Sequence, residues 1–226
     1  MEAIRTKKSG QLPINPIGTI NGDRIQLEFD SSETYPCLVE GNPFADQEVF
    51  TGSLTYSEPS VIGGIEPKTE TYKIQYRTGS GLFIIGDFGD YSRLDTVLSD
   101  TIEQIPGFRL GRVRSSRLGI WSFVFSSDFV PGIKVIDYES NELLDNSDIQ
   151  ISKASIKQIS SEYSLYSAEV VFRYEDKEVN VSISDGTISF SQPPSDEARE
   201  YVLQRVETHI MGNVIIEELT EVNEDE

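Results

Sequence analysis

Residues 168–190 read AEVVFRYEDKEVNVSISDGTISF, and this stretch carries the clearest structural signal in the chain. Apolar and polar residues alternate in three short runs, which is the period-two pattern of strands with one buried face. The runs are separated by Glu175-Asp176-Lys177 and by Asp185-Gly186, both typical of tight turns. The stretch therefore predicts a three-stranded antiparallel meander. The predicted strands are Ala168–Tyr174, Val179–Ile183 and Thr187–Phe190.

A helix is predicted directly after the meander, over residues 196–211. Pro193-Pro194 ends the last strand, and Ser195 is a favoured N-cap residue followed by two acidic residues in the positive first turn. Gly212 stands at the expected position just beyond the helix. The apolar positions Ala198, Tyr201, Val202, Val206 and Ile210 recur at helical spacing.

The first half of the chain repeats this order of strands followed by one helix. A helix is predicted over residues 91–105, where Leu94, Val97, Leu98, Ile102 and Ile105 share one face and Pro106-Gly107 ends it. The strands predicted around it are 25–29, 35–40, 49–56, 72–77, 82–86, 108–114, 118–125 and 133–138, and 149–159 alternates weakly.

These elements predict an α+β fold in which antiparallel sheets of about ten or more strands pack with two main helices, 91–105 and 196–211. A β-sandwich decorated by helices is the alternative. The pattern divides the chain into an irregular arm (1–22), a strand-rich first half (23–140), a meander with its helix (149–216) and an acidic tail (217–226). The polar stretch 139–148 is the candidate boundary, and one domain or two remains open.

The composition is strongly acidic: 226 residues carry 38 Asp and Glu against 19 Lys and Arg, a net charge of −19. Such a charge repels nucleic acid and anionic membranes at long range, and adaptation to high salt is one interpretation of it. No run of 18 apolar residues predicts a transmembrane helix, and Met1–Leu12 lacks the apolar core of a secretory signal. We therefore expect the protein in the cytoplasm, or inside an assembly such as a virion.

The single histidine and single cysteine restrict the possible chemistry. A zinc site built from His and Cys needs three or four such ligands, so no metal centre or cofactor is predicted from them. His209 lies in a last helical turn, where the helix dipole alone favours it. Cys37 follows Pro36 and precedes Leu38, which predicts a small buried apolar side chain rather than a nucleophile.

Two acidic residues form the best candidate for metal-assisted chemistry. Asp87 follows a predicted strand and Asp90 comes three residues later, an arrangement that can hold Mg²⁺ for a hydrolase. A strand-to-helix turn with Asp90 as the N-cap explains the same residues.

Four arginines, Arg109, Arg112, Arg114 and Arg117, fall within nine residues of this acidic chain. On a strand, Arg112 and Arg114 share a face and can bind phosphates or another anionic ligand such as nucleic acid. Pairing with the many acids of this chain or of a partner is the default alternative.

The function predicted from these patterns is a non-catalytic protein–protein binding or structural module, with self-association as one form. The row Trp121, Phe123 and Phe125 is interpreted as core because both faces of its predicted strand are apolar. Recognition of nucleic acid through the Arg109–Arg117 stripe and metal-dependent hydrolysis through Asp87 and Asp90 are the alternatives. An enzyme is disfavoured but left open.

Overall fold

The computed structural model describes residues 2–9, 18–21, 25–57, 69–86, 110–112, 117–145, 156–184 and 187–212. Its contacts divide the chain into two compact units. The N-terminal unit comprises Glu2–Tyr35 and Asp46–Arg112, and the C-terminal unit comprises Pro36–Ala45 and Val113–Glu226. The chain thus enters the C-terminal unit twice, whereas the sequence places its candidate boundary at 139–148.

The N-terminal unit is an antiparallel sheet in which β2, β3, β4, β5, β6 and β1 are successive neighbours and β7 pairs with β1. β3 begins with strict alternation of buried and exposed side chains, as the period of two requires, whereas all five residues of β6 are buried. The strands are β1 (Glu2–Ser9), β2 (Gly18–Asn21), β3 (Ile25–Thr34), β4 (Glu48–Ser57), β5 (Thr69–Arg77), β6 (Leu82–Gly86) and β7 (Leu110–Arg112).

One face of this sheet carries the buried apolar cluster of the unit. Gly52 sits on this face of β4, opposite Phe29, beside an irregularity in the pairing of β3 with β4. A Cβ at Gly52 would overlap the carbonyl oxygen of Glu28, so only glycine fits. The cluster contains Ile25, Leu27, Phe29, Phe50, Leu54, Tyr56, Tyr72, Ile74, Tyr76, Phe83 and Ile85.

The turn between β5 and β6 occupies residues 78–81. Gly81 has φ +68°, a left-handed conformation that favours glycine, and its N–H donates to the carbonyl of Arg77 at 2.9 Å. The side chain of Gln47 holds the turn from outside, because its Oε1 accepts from the N–H groups of Gly79 (3.0 Å) and Ser80 (3.1 Å).

The C-terminal unit contains a second antiparallel sheet, with the neighbour order β12-β11-β10-β8-β9. The meander predicted over 168–190 forms β10, β11 and β12, with Val170 opposite Val181 and Val181 opposite Phe190 on the buried face. The strands are β8 (Phe129–Asp137), β9 (Leu143–Asp145), β10 (Tyr163–Tyr174), β11 (Lys177–Ser184) and β12 (Thr187–Phe190).

Three α-helices of the described chain belong to this unit: α1 (Arg117–Phe125), α2 (Ile156–Glu162) and α3 (Asp196–Val206). A π-helical segment, Glu207–Met211, continues α3. Phe172 of β10 contacts both Phe123 of α1, at 5.3 Å between ring centroids, and Tyr201 of α3, at 6.3 Å. These contacts pack α1 and α3 on the sheet.

The connection between β3 and β4 supplies a ten-residue segment, Pro36–Ala45, to the C-terminal unit. Val39 and Phe44 of this segment are buried. Gln204 of α3 binds its backbone at two points: Oε1 accepts from the N–H of Leu38 at 2.7 Å, and Nε2 donates to the carbonyl of Pro36 at 2.8 Å. The same Nε2 donates to Oε1 of Glu200, also at 2.8 Å.

The predicted α+β class, with mostly antiparallel strands, is confirmed, although the described part of each unit holds seven or five strands rather than ten. The helix predicted over 196–211 is present, and Ser195 caps it by accepting from the N–H of Ala198 at 3.3 Å. Gly212 has the helical φ of −63°, so it does not end the helix in a left-handed conformation. The helix predicted over 91–105 lies outside the described residues, as does the tail 217–226.

Four local predictions differ from the structure. Residues 118–125 are helical rather than extended, and residues 156–159, the end of the weakly alternating stretch 149–159, belong to helix α2. Residues 35–38 are irregular rather than an edge strand. The predicted irregular arm, 1–22, contains β1 and β2.

Candidate functional site: the end of the β8–β9 hairpin

The hairpin that joins β8 to β9 is held by one carboxylate at its base. Oδ1 of Asp137 accepts from the N–H of Ser140 at 2.7 Å, the N–H of Glu139 at 2.8 Å and the hydroxyl of Ser140 at 3.1 Å. These donors, the N–H of Ser140 foremost, hold the pKa of the Asp137 carboxyl below its usual value. The turn is therefore ordered although residues 138–142 are exposed.

Backbone contacts complete the same turn. The N–H of Asp137 donates to the carbonyl of Glu142 at 3.0 Å, and the N–H of Asn141 donates to the carbonyl of Asp137 at 2.9 Å. Asn141 has φ +58°, a left-handed conformation that asparagine tolerates better than most residues. Strand β9 thus leaves the turn in a fixed register with β8.

Apolar side chains lie on the outer face of the sheet beside this turn, away from the face that packs on the helices. Leu143 of β9 is 55% exposed and pairs with Ile136 of β8. Tyr166, 53% exposed, occupies a register irregularity of β10, two residues after Ser164, which is itself opposite Ile136. We call Ile136, Leu143 and Tyr166 the outer patch.

Carboxylates surround the outer patch. The nine residues 137–145 contain Asp137, Glu139, Glu142 and Asp145 and no basic residue. The sheet register places Lys134 of β8 opposite Asp145. Because the acids outnumber this one lysine, the exposed apolar side chains at the end of the hairpin lie in a region of net negative charge.

A second apolar group flanks the hairpin from α1. The guanidinium of Arg117 lies 4.4 Å from the ring centroid of Tyr138, within cation–π distance. Tyr138 and the neighbouring Leu118 are both partly exposed. Four of the five large apolar side chains that are exposed in the described structure therefore lie at or beside the hairpin. The fifth, Phe129, begins β8 at its opposite end.

The predicted arginine stripe is only partly described. Arg112 ends β7, which pairs with β1 so that Arg112 lies opposite Lys7. Arg117 instead begins α1 and contacts Tyr138, so Arg112 and Arg117 do not share one strand. Arg109 and Arg114 lie outside the described residues.

The predicted acidic metal site cannot be placed, since Asp87 and Asp90 also lie outside the described residues. Elsewhere, in the part of the chain that the structure describes, no three His, Cys, Asp or Glu residues are grouped so as to hold a metal ion.

The structure brings His209 to a serine that the sequence did not single out. Nδ1 of His209, in the π-helical segment, lies 2.9 Å from Oγ of Ser122 in α1. Burial, and secondarily the charge of Arg205, lowers the pKa of His209 to about 4, so the imidazole is neutral at pH 7. Ser122 lies in mid-helix, and we interpret this bond as a tertiary contact between α1 and the π-helical segment.

Cys37 is exposed, so the prediction of a buried side chain is wrong. Its thiol donates to the carbonyl of Val39 at 3.2 Å. The physical reason is that Gln204 binds the peptide groups on both sides of Cys37, which directs Val39, two residues on, into the core instead.

A shallow groove of about 450 Å³ lies beside the start of α3, lined by residues 177–180 of β11 and by the connection 191–195. The hydroxyl of Ser195 is already engaged there as the helix cap. The lining residues of the groove, which include Lys177 and Asn180, do not form a group of catalytic or metal-binding side chains.

Sequence reasoning missed the outer patch because it interpreted 139–148 as a boundary. The signal that points to it is the pair Leu143-Leu144, two large apolar residues inside an otherwise acidic and polar stretch. Tyr166 carries no such signal, since a tyrosine in a strand is ordinary.

No protein-family model matches the sequence. No curated protein is significantly similar to it. Among the described residues, no helix has both the length and the apolar character needed to cross a lipid bilayer.

Proposed function

We propose that this protein is a non-catalytic binding or assembly module that acts by docking another protein at the β8–β9 hairpin. The observation that carries the proposal is the gathering of exposed apolar side chains at this one place, around Leu143 and Tyr138. Exposed apolar patches of this kind are typical of protein interaction sites, because covering them removes apolar surface from water.

The ordered turn supports the same function. Since Asp137 and Asn141 fix the hairpin before any partner arrives, little conformational entropy is lost when the surface is covered. A site built on paired strands also holds its side chains more rigidly than a free loop does.

Site-specific photo-crosslinking tests the proposal. A photoreactive amino acid is placed at Leu143 and, as the matched control, at Phe129, which is 64% exposed on the same strand pair but far from the hairpin. We expect one defined crosslinked product from position 143 in native extract or in concentrated pure protein, and none in common from position 129. Identical products from both positions, or none from either, would overturn the proposal. Light scattering of the pure protein then separates self-assembly from capture of a different partner.

The register of one strand pair favours a second candidate function, recognition of nucleic acid or another polyanion. Lys7 of β1 is opposite Arg112 of β7 in the antiparallel register. A filter-binding titration at low salt tests it, with the double variant Lys7→Ala/Arg112→Ala expected to abolish retention. A metal-dependent hydrolase using Asp87 and Asp90 stays a prediction from the sequence.

A further inference from the structure

Arg205 of α3 is a partly buried cation whose guanidinium is held in place by one tyrosine. Its Nε and Nη2 donate to the hydroxyl oxygen of Tyr201 at 3.1 and 2.6 Å, and its guanidinium carbon lies 5.1 Å from the centroid of the same ring. These bonds use two of the five N–H donors of an arginine. In the described structure Arg205 forms no ion pair, so its other N–H groups are not bound to Asp or Glu.

Tyr201 supplies one more donor beside this guanidinium. The side chain is 8% exposed, and its oxygen accepts both bonds from Arg205. A phenol also carries a proton of its own, and no acceptor for that proton is present among the residues that the structure describes. Arg205 and Tyr201 therefore offer N–H and O–H donors in one place, which is the chemistry that binds an oxyanion.

A second cation is connected to this pair through the sheet. The ring of Tyr174, at the end of β10, lies 5.2 Å from the ring of Tyr201, measured between centroids. Lys177 begins β11 and is opposite Tyr174 in the register, so both residues lie on the face of the sheet that packs on the helices. Neither Glu175 nor Asp176, the acids of the intervening turn, forms an ion pair with Lys177.

The groove beside the start of α3 adjoins this cluster. Lys177 and Ala198 both line it, and Ala198 lies one turn before Tyr201 on the same face of α3. Glu178 is the one carboxylate among the lining residues, and it pairs with Arg173 at 3.5 Å. The volume of about 450 Å³ is within the range of small-molecule sites.

We propose that Arg205, Tyr201 and Lys177 bind the phosphate of a small phosphate monoester, whose organic part occupies the groove. Such an ester carries nearly two negative charges at pH 7, and the site offers two cations without a carboxylate partner in the described part of the chain. The net charge of −19 repels anions, but salt screens charges more than about 8 Å away, so the nearby cations dominate. This site goes beyond the proposed function and does not depend on the β8–β9 hairpin.

Isothermal titration calorimetry at 150 mM salt tests the chemistry of the ligand. The probes are adenosine monophosphate and glucose 6-phosphate, their unphosphorylated counterparts adenosine and glucose, and inorganic phosphate. We expect at least one ester to bind with a Kd below about 1 mM, and its counterpart and inorganic phosphate to bind at least about ten times more weakly. Binding of neither ester, or equal binding of inorganic phosphate or of the counterpart, would overturn the proposal. The ester that binds identifies the organic part as a nucleoside or a sugar.

The site is tested with three substitutions that each remove one positive charge: Arg205→Gln, Lys177→Gln and, as the matched control, Arg173→Gln. Arg173 belongs to the same strand pair as Lys177, but it lies on the opposite face of β10 from Tyr174 and pairs with Glu178. We expect the first two variants to weaken binding of the ester about tenfold each and the control to leave it unchanged. Equal losses in all three would show that only net charge acts and would refute this site.

Tyr201→Phe separates the hydroxyl group from the packing of the ring. The variant keeps the ring that contacts Phe172 and Tyr174, so we expect an unchanged circular dichroism spectrum. We expect binding of the ester to weaken about tenfold, because the phosphate loses one donor and Arg205 loses the group that orients it. Binding as tight as in the wild type would exclude the hydroxyl from the site.

Nuclear magnetic resonance locates the bound ester on the wild-type protein. We expect the amide resonances of residues 177–180 and 195–201 to shift on saturation with the ester, and those of residues 139–143 in the β8–β9 hairpin to stay in place. Shifts at the hairpin without shifts at α3 would place the ligand elsewhere and overturn the proposal. Failure of the ester to bind would leave crosslinking from position 143 as the separate test of the proposed function.

Discussion

The two units use the faces opposite their cores differently. In the N-terminal unit, hydroxyl groups on neighbouring strands bond to one another across that face: Ser31 to Thr51 at 2.7 Å, and Thr55 to Thr71 at 3.3 Å. In the C-terminal unit, the corresponding face leaves Leu143 of β9, the last strand in the sheet order, exposed.

The hydroxyl groups of the first surface already have hydrogen-bond partners within the protein. The second surface gains free energy when a partner covers its apolar side chains. Paired hydroxyl groups have already exchanged water for each other, so a partner offers them little net free energy. An exposed leucine gains roughly 25 cal/mol for each Å² of apolar surface that a partner covers. We therefore expect a partner protein to bind the C-terminal unit. We expect substitutions in the N-terminal sheet to lower the free energy of unfolding most.

The largest expected loss of stability tests how closely strands β3 and β4 of the N-terminal sheet pack at Gly52. Gly52→Ala places a Cβ against the carbonyl of Glu28, which must displace β3, and we expect a loss of about 3 kcal/mol in the free energy of unfolding. The control is Gly132→Ala in β8, whose new Cβ would lie 3.4 Å from Oε2 of Glu169, the mobile end of an exposed side chain. We expect it to be nearly neutral. Urea denaturation of both variants measures the difference, and equal losses would contradict the comparison.

The next prediction tests whether the hydrogen bonds of Gln204 to the segment Pro36–Ala45 stabilise the C-terminal unit. Gln204→Ala removes the buried amide that binds the backbone of Pro36 and Leu38 and leaves these part-buried polar groups without it, so we expect a loss of about 2 kcal/mol. Gln158→Ala is the matched control, because Gln158 also bonds a glutamate four residues away, Glu162, but in an exposed position. We expect that variant to cost less than about 0.5 kcal/mol.

Hydrogen exchange locates the effect of Gln204→Ala. The amide of Leu38 should exchange faster in the variant, because it loses its acceptor, while the amides of β4 and β5 should be unaffected. Faster exchange throughout the chain, with no excess at residues 36–45, would show that Gln204 acts other than by holding this segment.

The sequence predicted elements well wherever a local signal excludes the alternatives. The meander 168–190 has strict alternation and short turns, and α3 has a serine cap, early acids and helical spacing, so both were predicted correctly. Residues 117–125 carry no local signal that distinguishes a helix from a strand. Gly119, Trp121, Phe123 and Val124 are all buried, and a segment that is apolar on nearly every side fits a helix and a strand equally.

The candidate site was harder to predict than the fold because its parts come from pairings distant in sequence. Leu143 meets Ile136 through a hairpin, but Tyr166 joins them only through the register of β10 with β8. Ser122 and His209 are 87 residues apart and meet because α1 and the π-helical segment pack together. A single sequence specifies such pairings only through the complete fold.

The last prediction tests whether acid destabilises the contact between α1 and the π-helical segment. Burial lowers the pKa of His209 to about 4 in the folded protein, whereas an unfolded chain has the usual value of 6.5. Between these values the unfolded chain binds a proton that the folded chain does not, so stability falls as pH drops from about 6.5 to 4. Below pH 4 both states are protonated, and this contribution changes no further.

The variant His209→Gln isolates this contribution, because glutamine does not titrate and can still bond Ser122. The free energies of unfolding of both proteins are measured at pH 7.5, 5.5 and 4.5, and the titration of the carboxylates cancels in the difference. We expect wild-type protein to lose stability relative to the variant as the pH falls, with faster hydrogen exchange in α1 and the π-helical segment and no change in β4. A constant difference across this range would mean that His209 is as solvated in the folded chain as in the unfolded one. The contact between α1 and the π-helical segment would then not exclude water, and acid would not distinguish the two units.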